Sequence, residues 1–285
     1  MNYRHAFHAG NHADVLKHVV LLAVCDALVA KPAPMFALDT HAGRGLYALD
    51  GEMSRRTSEA AGGVEAFGHQ AFSVPALARY LAAVDACRAM HGRHAYPGSP
   101  WLLAHALRDQ DRIACCELQP AEALALERTF SADKRVVVHA RDGYAAIPAL
   151  LPPRHGQARI ARGLVLVDPP YEAQLAEFDA AIAALRTGLR RWAQACYMLW
   201  YPIKLRRTLQ PFQRRAADLP AQSALVVELL VRRDDSPLRM NGSGLLLLNP
   251  PWQLQQALAP ALPVLCELLG EAGASWRMEW LRPPA

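Results

Sequence analysis

Five short apolar runs recur along this chain, each long enough for a buried strand and each closed by polar or glycine-containing residues. They are Met35 to Asp39, Arg112 to Glu117, Arg135 to His139, Gly163 to Asp168 and Cys196 to Trp200. The segments between them, such as Ala121 to Phe130 and Leu175 to Leu189, carry helical spacing. Buried strands alternating with helices define a doubly wound, mostly parallel sheet with helices on both faces. Two more runs, Leu225 to Val231 and Gly244 to Asn249, are joined by a short polar connection holding Pro237 and Gly242, so they read as a hairpin with one antiparallel member. The expectation is an α/β domain around a seven-stranded sheet, and 285 residues at 52% hydrophobic content can fill its core.

One interval breaks the alternation. About 65 residues, roughly Leu46 to Ser99, separate the glycine turn after the first strand from the second strand, where one helix would suffice. We read residues 46–99 as an inserted helical subdomain, and 1–45 with 100–285 as the main domain. The helix Pro75 to His91 is amphipathic, with Arg79, Asp85 and Arg88 among its polar positions. Ahead of the first strand, Asn11 is placed to cap a helix that runs from Val15 to about Val29 and ends at Lys31-Pro32-Ala33-Pro34.

Six cysteines without a CxxC pair, mostly inside apolar runs, fit a reduced cytoplasmic protein and exclude a disulfide or zinc framework. No apolar run reaches the length of a membrane span. The net charge of +5 and pI near 9.0 suit a polyanionic partner, although many proteins share that balance.

The first strand ends in Asp39-Thr40-His41-Ala42-Gly43-Arg44-Gly45, where glycine lets the backbone approach a ligand; the third glycine of a nicotinamide fingerprint is absent. Glu117, ending the second strand, has the position of a carboxylate that takes both hydroxyls of a ribose, and equally that of a solvated strand end. Asp142-Gly143 after the third strand fits a contact to a nucleoside amine or a plain turn. The fourth strand carries the stronger signal, ending in Asp168-Pro169-Pro170-Tyr171. The exocyclic amine of adenine is a poor nucleophile because its lone pair is delocalised into the ring. A carboxylate and a carbonyl accepting from its two protons let the nitrogen pyramidalise. Prolines fix the backbone and cannot donate a competing hydrogen bond, and a tyrosine offers its face to the base. A second amide-proline-proline-aromatic run, Asn249-Pro250-Pro251-Trp252, follows the last strand; if that strand is antiparallel its end faces the other edge, so we read it as a structural turn.

The opening stretch Tyr3-Arg4-His5-Ala6-Phe7-His8-Ala9-Gly10-Asn11-His12 crowds aromatic and basic groups ahead of Lys17 and His18. A zinc site from its histidines lacks a completing ligand, so no metal is expected. We expect the segment to close over the site, Tyr3 contacting the base and His5 and Lys17 holding the neighbouring backbone or the segment itself. Basic density recurs at Lys204-Leu205-Arg206-Arg207 and Arg214-Arg215.

Taken together, that opening stretch through His18, Leu38 to Gly43, Tyr96-Pro97-Gly98-Ser99-Pro100 and Asp168-Pro169-Pro170-Tyr171-Glu172 closely resemble the RlmJ family of bacterial 23S ribosomal RNA adenine-N6 methyltransferases, essentially end to end. The resemblance implies a Rossmann-like class I methyltransferase domain with a small helical insertion. It implies S-adenosylmethionine as cofactor and adenine 2030 of protein-free 23S rRNA as substrate, with the protein acting as a monomer. It further implies cofactor contacts at His18, His41, Ser99, Glu117, Asp142 and Gly143, to which the expected set adds Lys17, Gly43 and Asp168. Arg44 departs from the small residue familiar between the two glycines. Rival readings are a DNA adenine methyltransferase, a protein glutamine methyltransferase, disfavoured by Asp168 in place of asparagine, and a non-catalytic RNA-binding module.

Overall fold

The computed structural model describes residues 5–68, 70–171, 175–237 and 240–284. Asn11 opens helix α1 (His12–Val29), its side-chain oxygen accepting from the amides of Ala13 and Asp14 at 3.0 Å each. Thirteen of the helix's eighteen residues are buried, because α1 runs between the sheet on one side and the insertion on the other.

Strand β1 (Met35–Asp39) is buried at every position. After it come β2 (Leu46–Ala48), α2 (Glu52–Thr57), two single 3-10 turns, α3 (Pro75–His91) and β3 (Ala95–Pro97), with β2 and β3 paired antiparallel so that the excursion begins and ends at one place. Leu77, Tyr80 and Val84 of α3 and Val64 and Phe67 of the 3-10 turns join the same apolar cluster as α1, so residues 46–97 share a core with the sheet domain. The return enters α4 (Ser99–Ala106), β4 (Arg112–Cys116), α5 (Pro120–Thr129), β5 (Val136–His139) and α6 (Gly143–Leu150). A small hairpin, β6 (Arg154–His155) and β7 (Ala158–Arg159), leads to β8 (Arg162–Val167). Then follow α7 (Leu175–Arg191), β9 (Cys196–Ile203), α8 (Gln210–Ala217), β10 (Ala224–Leu230), β11 (Gly242–Leu248), α9 (Leu254–Leu258), α10 (Ala261–Leu269) and β12 (Ser275–Arg282).

The large sheet has the order β12-β10-β11-β9-β8-β1-β4-β5. β5, β4, β1, β8 and β9 are mutually parallel, while β11 is antiparallel to both β9 and β10. One apolar cluster, including α1, α3, α4 and α10, covers one face, and a second with α6, α7 and α8 covers the other. The sheet holds eight strands, one more than the seven expected. The addition, β12, pairs antiparallel with β10 at the edge. Its sequence, Ser-Trp-Arg-Met-Glu-Trp-Leu-Arg, is half exposed throughout and lacks the continuous apolar run of a central strand, the signal used for the other seven.

Candidate functional site

All five parallel strands end on the same edge, and there the turns after β1, β4, β5 and β8 converge. The turn after β1 is held by its own backbone. Thr40 donates its amide and hydroxyl to the Leu166 carbonyl at 3.0 Å each, and the Ala42 amide donates to Cys116 at 2.9 Å. Gly43 sits at φ +59°, and a Cβ there would lie 2.3 Å from the Tyr47 hydroxyl, so only glycine fits. Arg44 points away from the turn: its guanidinium makes two 2.7 Å bonds to Glu122 on α5, which accounts for a large residue between the two glycines.

Glu117 faces this turn from the end of β4. One oxygen accepts from the Gly43 amide at 2.9 Å and the other from the Gln119 amide at 2.7 Å. Burial raises its pKa against the pull of those amides. Each oxygen has a lone pair left over, the requirement for receiving paired hydroxyls. Asp142 caps α6 through the Ala145 amide at 2.7 Å, and a Cβ on Gly143 would meet the Thr40 carbonyl at 1.9 Å. Gly143 therefore brings the α6 amino end directly against the β1 turn. Half-buried His41 bonds Thr40 Oγ1 at 2.8 Å, packs edge-on to Tyr144 with ring centres 5.1 Å apart, and is pushed by burial to a pKa of about 4.

Above the end of β8, the buried face of α1 brings cations to carboxylates. Lys17 Nζ lies 2.6 Å from Asp168 Oδ2 and 2.8 Å from Asp14 Oδ1. Burial opposes its charge, yet the two carboxylates hold its pKa well above the usual lysine value. Asp14 also accepts from His5 Nε2 at 3.0 Å and the Gly10 amide at 2.9 Å; these partners overcome burial and keep its pKa well below the usual range. His5 thus ties the turn before α1 to Asp14 on its first turn. Tyr3 lies outside the described residues.

His18 bonds the Tyr96 hydroxyl through Nδ1 at 3.0 Å and is buried so completely that its pKa falls to about 3, leaving a neutral ring whose Nε2 has no partner. Asp39 is fully buried as well. Burial pushes its pKa up to about 7, hydrogen bonds from Ser99 and the His41 amide pull the other way, and its Oδ2 has no partner. Two orphaned polar atoms beside Ser99 and the glycine turn are costly unless a bound polar group satisfies them. These orphans, the free lone pairs of Glu117 and the close-packed glycines fit a nucleoside cofactor with charged substituents.

Asp168 and Tyr171 follow β8 on this edge. The Tyr171 hydroxyl donates to the Trp200 carbonyl at 2.9 Å, and its ring packs against Phe178 and Trp200 with centres 5.0 and 5.8 Å away, so the ring is fixed before any base arrives. The second proline pair lies elsewhere. Because β11 is antiparallel to β9, Asn249 ends it at the opposite edge, where its amide donates to the carbonyls of Ala193 and Ala195 at 2.9 and 3.1 Å and accepts from Gln222 at 2.7 Å. Trp252 stands 82% exposed. The residues whose roles sequence reading missed are Asp14, Asp39, Tyr96 and Trp200, because those roles depend on contacts between elements distant in sequence. Among the described residues no histidine, cysteine and carboxylate group forms a metal-binding cluster, and no helix is long and apolar enough to cross a membrane.

Three comparisons bear on this geometry. The family described as "Ribosomal RNA large subunit methyltransferase D, RlmJ" matches residues 32–282. Two proteins named "Ribosomal RNA large subunit methyltransferase J" are each 37% identical to the chain, one from Haemophilus influenzae over 286 residues and one from Escherichia coli over 287, with 99% of both partners covered in each case. Among solved structures, protein LPL1258 from Legionella pneumophila superposes with a TM-score of 0.83 at 29% identity, covering 95% of this chain and 98% of that one.

Proposed function

The chain belongs to the RlmJ family of ribosomal RNA large subunit methyltransferases, and on that premise we propose that it transfers a methyl group from S-adenosylmethionine to N6 of an adenine in 23S rRNA, adenine 2030 by family resemblance, acting as a monomer on RNA not yet packed by ribosomal proteins. The observation that carries the adenine assignment is Asp168, a carboxylate at the end of a central strand, backed by two prolines and a fixed tyrosine and opening on the same edge as Gly43, Glu117 and Asp142.

Bound S-adenosylmethionine supplies a methyl group made electrophilic by its sulfonium. The pocket for it is formed by Glu117 at the ribose, Asp142 and Gly143 at the nucleoside base, and His18, His41, Gly43 and Ser99 around the remainder. Neutral His18 and His41 put no positive charge next to a cationic donor, which is what their depressed pKa values provide.

The target amine meets Asp168. Lys17 occupies Oδ2, and no described residue bonds Oδ1, so Oδ1 is the acceptor left for an amine proton. Pro169 and Pro170 have no N–H to compete for the amine, and a carbonyl of that pair accepts a hydrogen bond from its second N–H. As N6 bonds to the methyl carbon, the carbon–sulfur bond would break with its electron pair going to sulfur, which leaves as a neutral thioether, and positive charge would develop on the nitrogen. Asp168 stabilises that charge most strongly in the transition state and is the base placed to accept the surplus proton from the nitrogen. Lys17 holds the carboxylate in place through Oδ2. A paired or stacked adenine reaches this point only when extruded, at a cost of a few kcal/mol. Stacking on Tyr171 returns about 1–3 kcal/mol, so a further base contact is needed, which we assign to Tyr3.

Mass mapping of 23S rRNA incubated with the protein and S-adenosylmethionine tests the reading, with duplex DNA as the alternative substrate. Methyladenine in the rRNA and none in the DNA is the expected result. Asp168→Ala should abolish transfer while leaving cofactor affinity within a few-fold. Methylation of DNA alone, or full activity of the variant, would overturn it.

A further inference from the structure

Asp168 stands midway along a longer edge. β9 runs parallel to β8 and ends at Ile203; β11, its antiparallel neighbour, begins at Gly242; β10 ends beside it at Leu230. Residues 204–209, 231–237 and 240–241 therefore gather on the same edge as the catalytic carboxylate. Val167 pairs with Leu199, so β9 runs about four residues beyond the level of Asp168 before its turn begins; at about 3.3 Å per residue and about 4.8 Å between strands, the turns lie roughly 14–20 Å from Asp168. That is the reach of about four to six nucleotides on a stacked nucleic-acid strand rising about 3.4 Å per nucleotide.

The first turn is rigid. The Arg206 amide donates to Asp234 at 2.6 Å, and buried Asn241 donates to the carbonyls of Lys204, Asp234 and Ser236 at 2.7–3.2 Å. Most arginines here are already committed: Arg206 to Glu228 at 3.0 Å, Arg232 to Glu271 at 2.7 Å and Arg233 to Asp235 at 2.9 Å. Lys204 and Arg207 differ. Both are exposed, and neither side chain has a hydrogen-bond or ion-pair partner among the described residues. Between Arg207, Arg233 and Ser275 a cavity of about 420 Å³ opens to solvent.

Unpaired surface cations are common and usually only solvated. These two sit on a braced turn at the edge where the target base must enter, and RNA on either side of an extruded nucleotide has to pass over that edge. We propose that the turn after β9 is a phosphate-binding track for the RNA strand flanking the target adenine, with Lys204 and Arg207 each contacting the backbone irrespective of base identity. The inference rests on the assignment of RNA as substrate. The contacts position the strand and supply affinity that depends on salt, while base selection stays with Asp168 and Tyr171.

The test is Lys204→Glu/Arg207→Glu, compared with Arg154→Glu/Arg159→Glu. The second pair makes the same change in net charge on the β6–β7 hairpin, which leads into the start of β8 at the opposite edge. The track variant should raise KM for 23S rRNA by about tenfold or more at moderate salt. It should flatten the dependence of log KM on log salt by about 1.4–1.8, two phosphate contacts at about 0.7–0.9 each. Cofactor affinity and kcat at saturating RNA should stay within about twofold, and the hairpin variant should match the native protein throughout. If the track variant keeps the native KM and salt slope, or the hairpin variant loses as much, the proposal is wrong. A native protein that methylates no rRNA would instead overturn the assignment of substrate.

Discussion

Replacing Lys17 by methionine removes a cation from between two carboxylates without removing much apolar volume. The Lys17 and Asp14 side chains are 4% and 2% exposed, and Nζ makes contacts of 2.8 and 2.6 Å to Asp14 and Asp168. Removing one partner of a buried ion pair typically costs 3–5 kcal/mol, because the remaining charge is stranded. Asp14 keeps His5 and the Gly10 amide, so the lower end, about 3 kcal/mol, is the expected loss. With an m-value of about 3 kcal/mol/M in urea, the upper end of the usual range as suits a chain of this size, the unfolding midpoint should fall by about 1 M. Asp14→Asn in the same background should recover part of the loss, a coupling of about 1–3 kcal/mol between the two sites. Below the new midpoint the variant should bind S-adenosylmethionine and fail to methylate rRNA. A midpoint shift under about 0.3 M, or effects of the two changes that simply add, would refute the view of Lys17 as the charge that joins α1 to the catalytic strand.

Three further outcomes are expected. Glu117→Ala should weaken cofactor affinity by about 1–3 kcal/mol, read by calorimetry, because a charged acceptor of ribose hydroxyls is lost; unchanged affinity would place the ribose elsewhere. Asn249→Ala loses three hydrogen bonds and leaves alanine at φ +51°, so it should lower the thermal midpoint while the folded fraction keeps full methyl transfer; inactive but stable protein would mean the second proline pair is the site. Burial depresses the pKa of His12 to about 4, of His18 to about 3 and of His41 to about 4, so below the unfolded value near 6.5 the unfolded chain takes up protons that the native state refuses. Asp39, raised to about 7, acts in the opposite sense across this window, and His8, raised from 6.5, does so only above it. Net stability should fall by about 1–3 kcal/mol per pH unit between pH 6.5 and 4, and urea midpoints that stay flat or rise over that window would contradict it.

The strands that position the site were legible because a parallel strand buried on both faces must be apolar throughout. β1 was read at its observed bounds, and β4 and β8 one residue past their ends. α3 was read at its observed bounds as well, since a proline at its first position and a glycine just past its end mark the limits. β12 was not legible, because an edge strand needs only half its surface covered and Arg277 is drawn inward by Glu228 of β10 at 2.9 Å, a pairing that no local pattern announces.

The two proline pairs show where local chemistry stops deciding. Asp168-Pro169-Pro170-Tyr171 and Asn249-Pro250-Pro251-Trp252 offer similar acceptors and similar rings, and the residues alone do not separate them. Strand direction does. β8 is parallel to β1, so Asp168 emerges beside the glycine turn, whereas β11 is reversed against β9, so Asn249 emerges at the far edge and spends its amide on the start of β9. Reversal was inferable from the short connection between Leu230 and Gly242, too short for a parallel crossover. The contact that completes the site was not inferable in that way. Lys17 and Asp168 are 151 residues apart in sequence, and they meet because α1 lies across the end of β8 with Lys17 on its inner face. A lysine within an apolar helix marks a position where a buried charge requires a partner; only the fold identifies that partner as the carboxylate that receives the substrate.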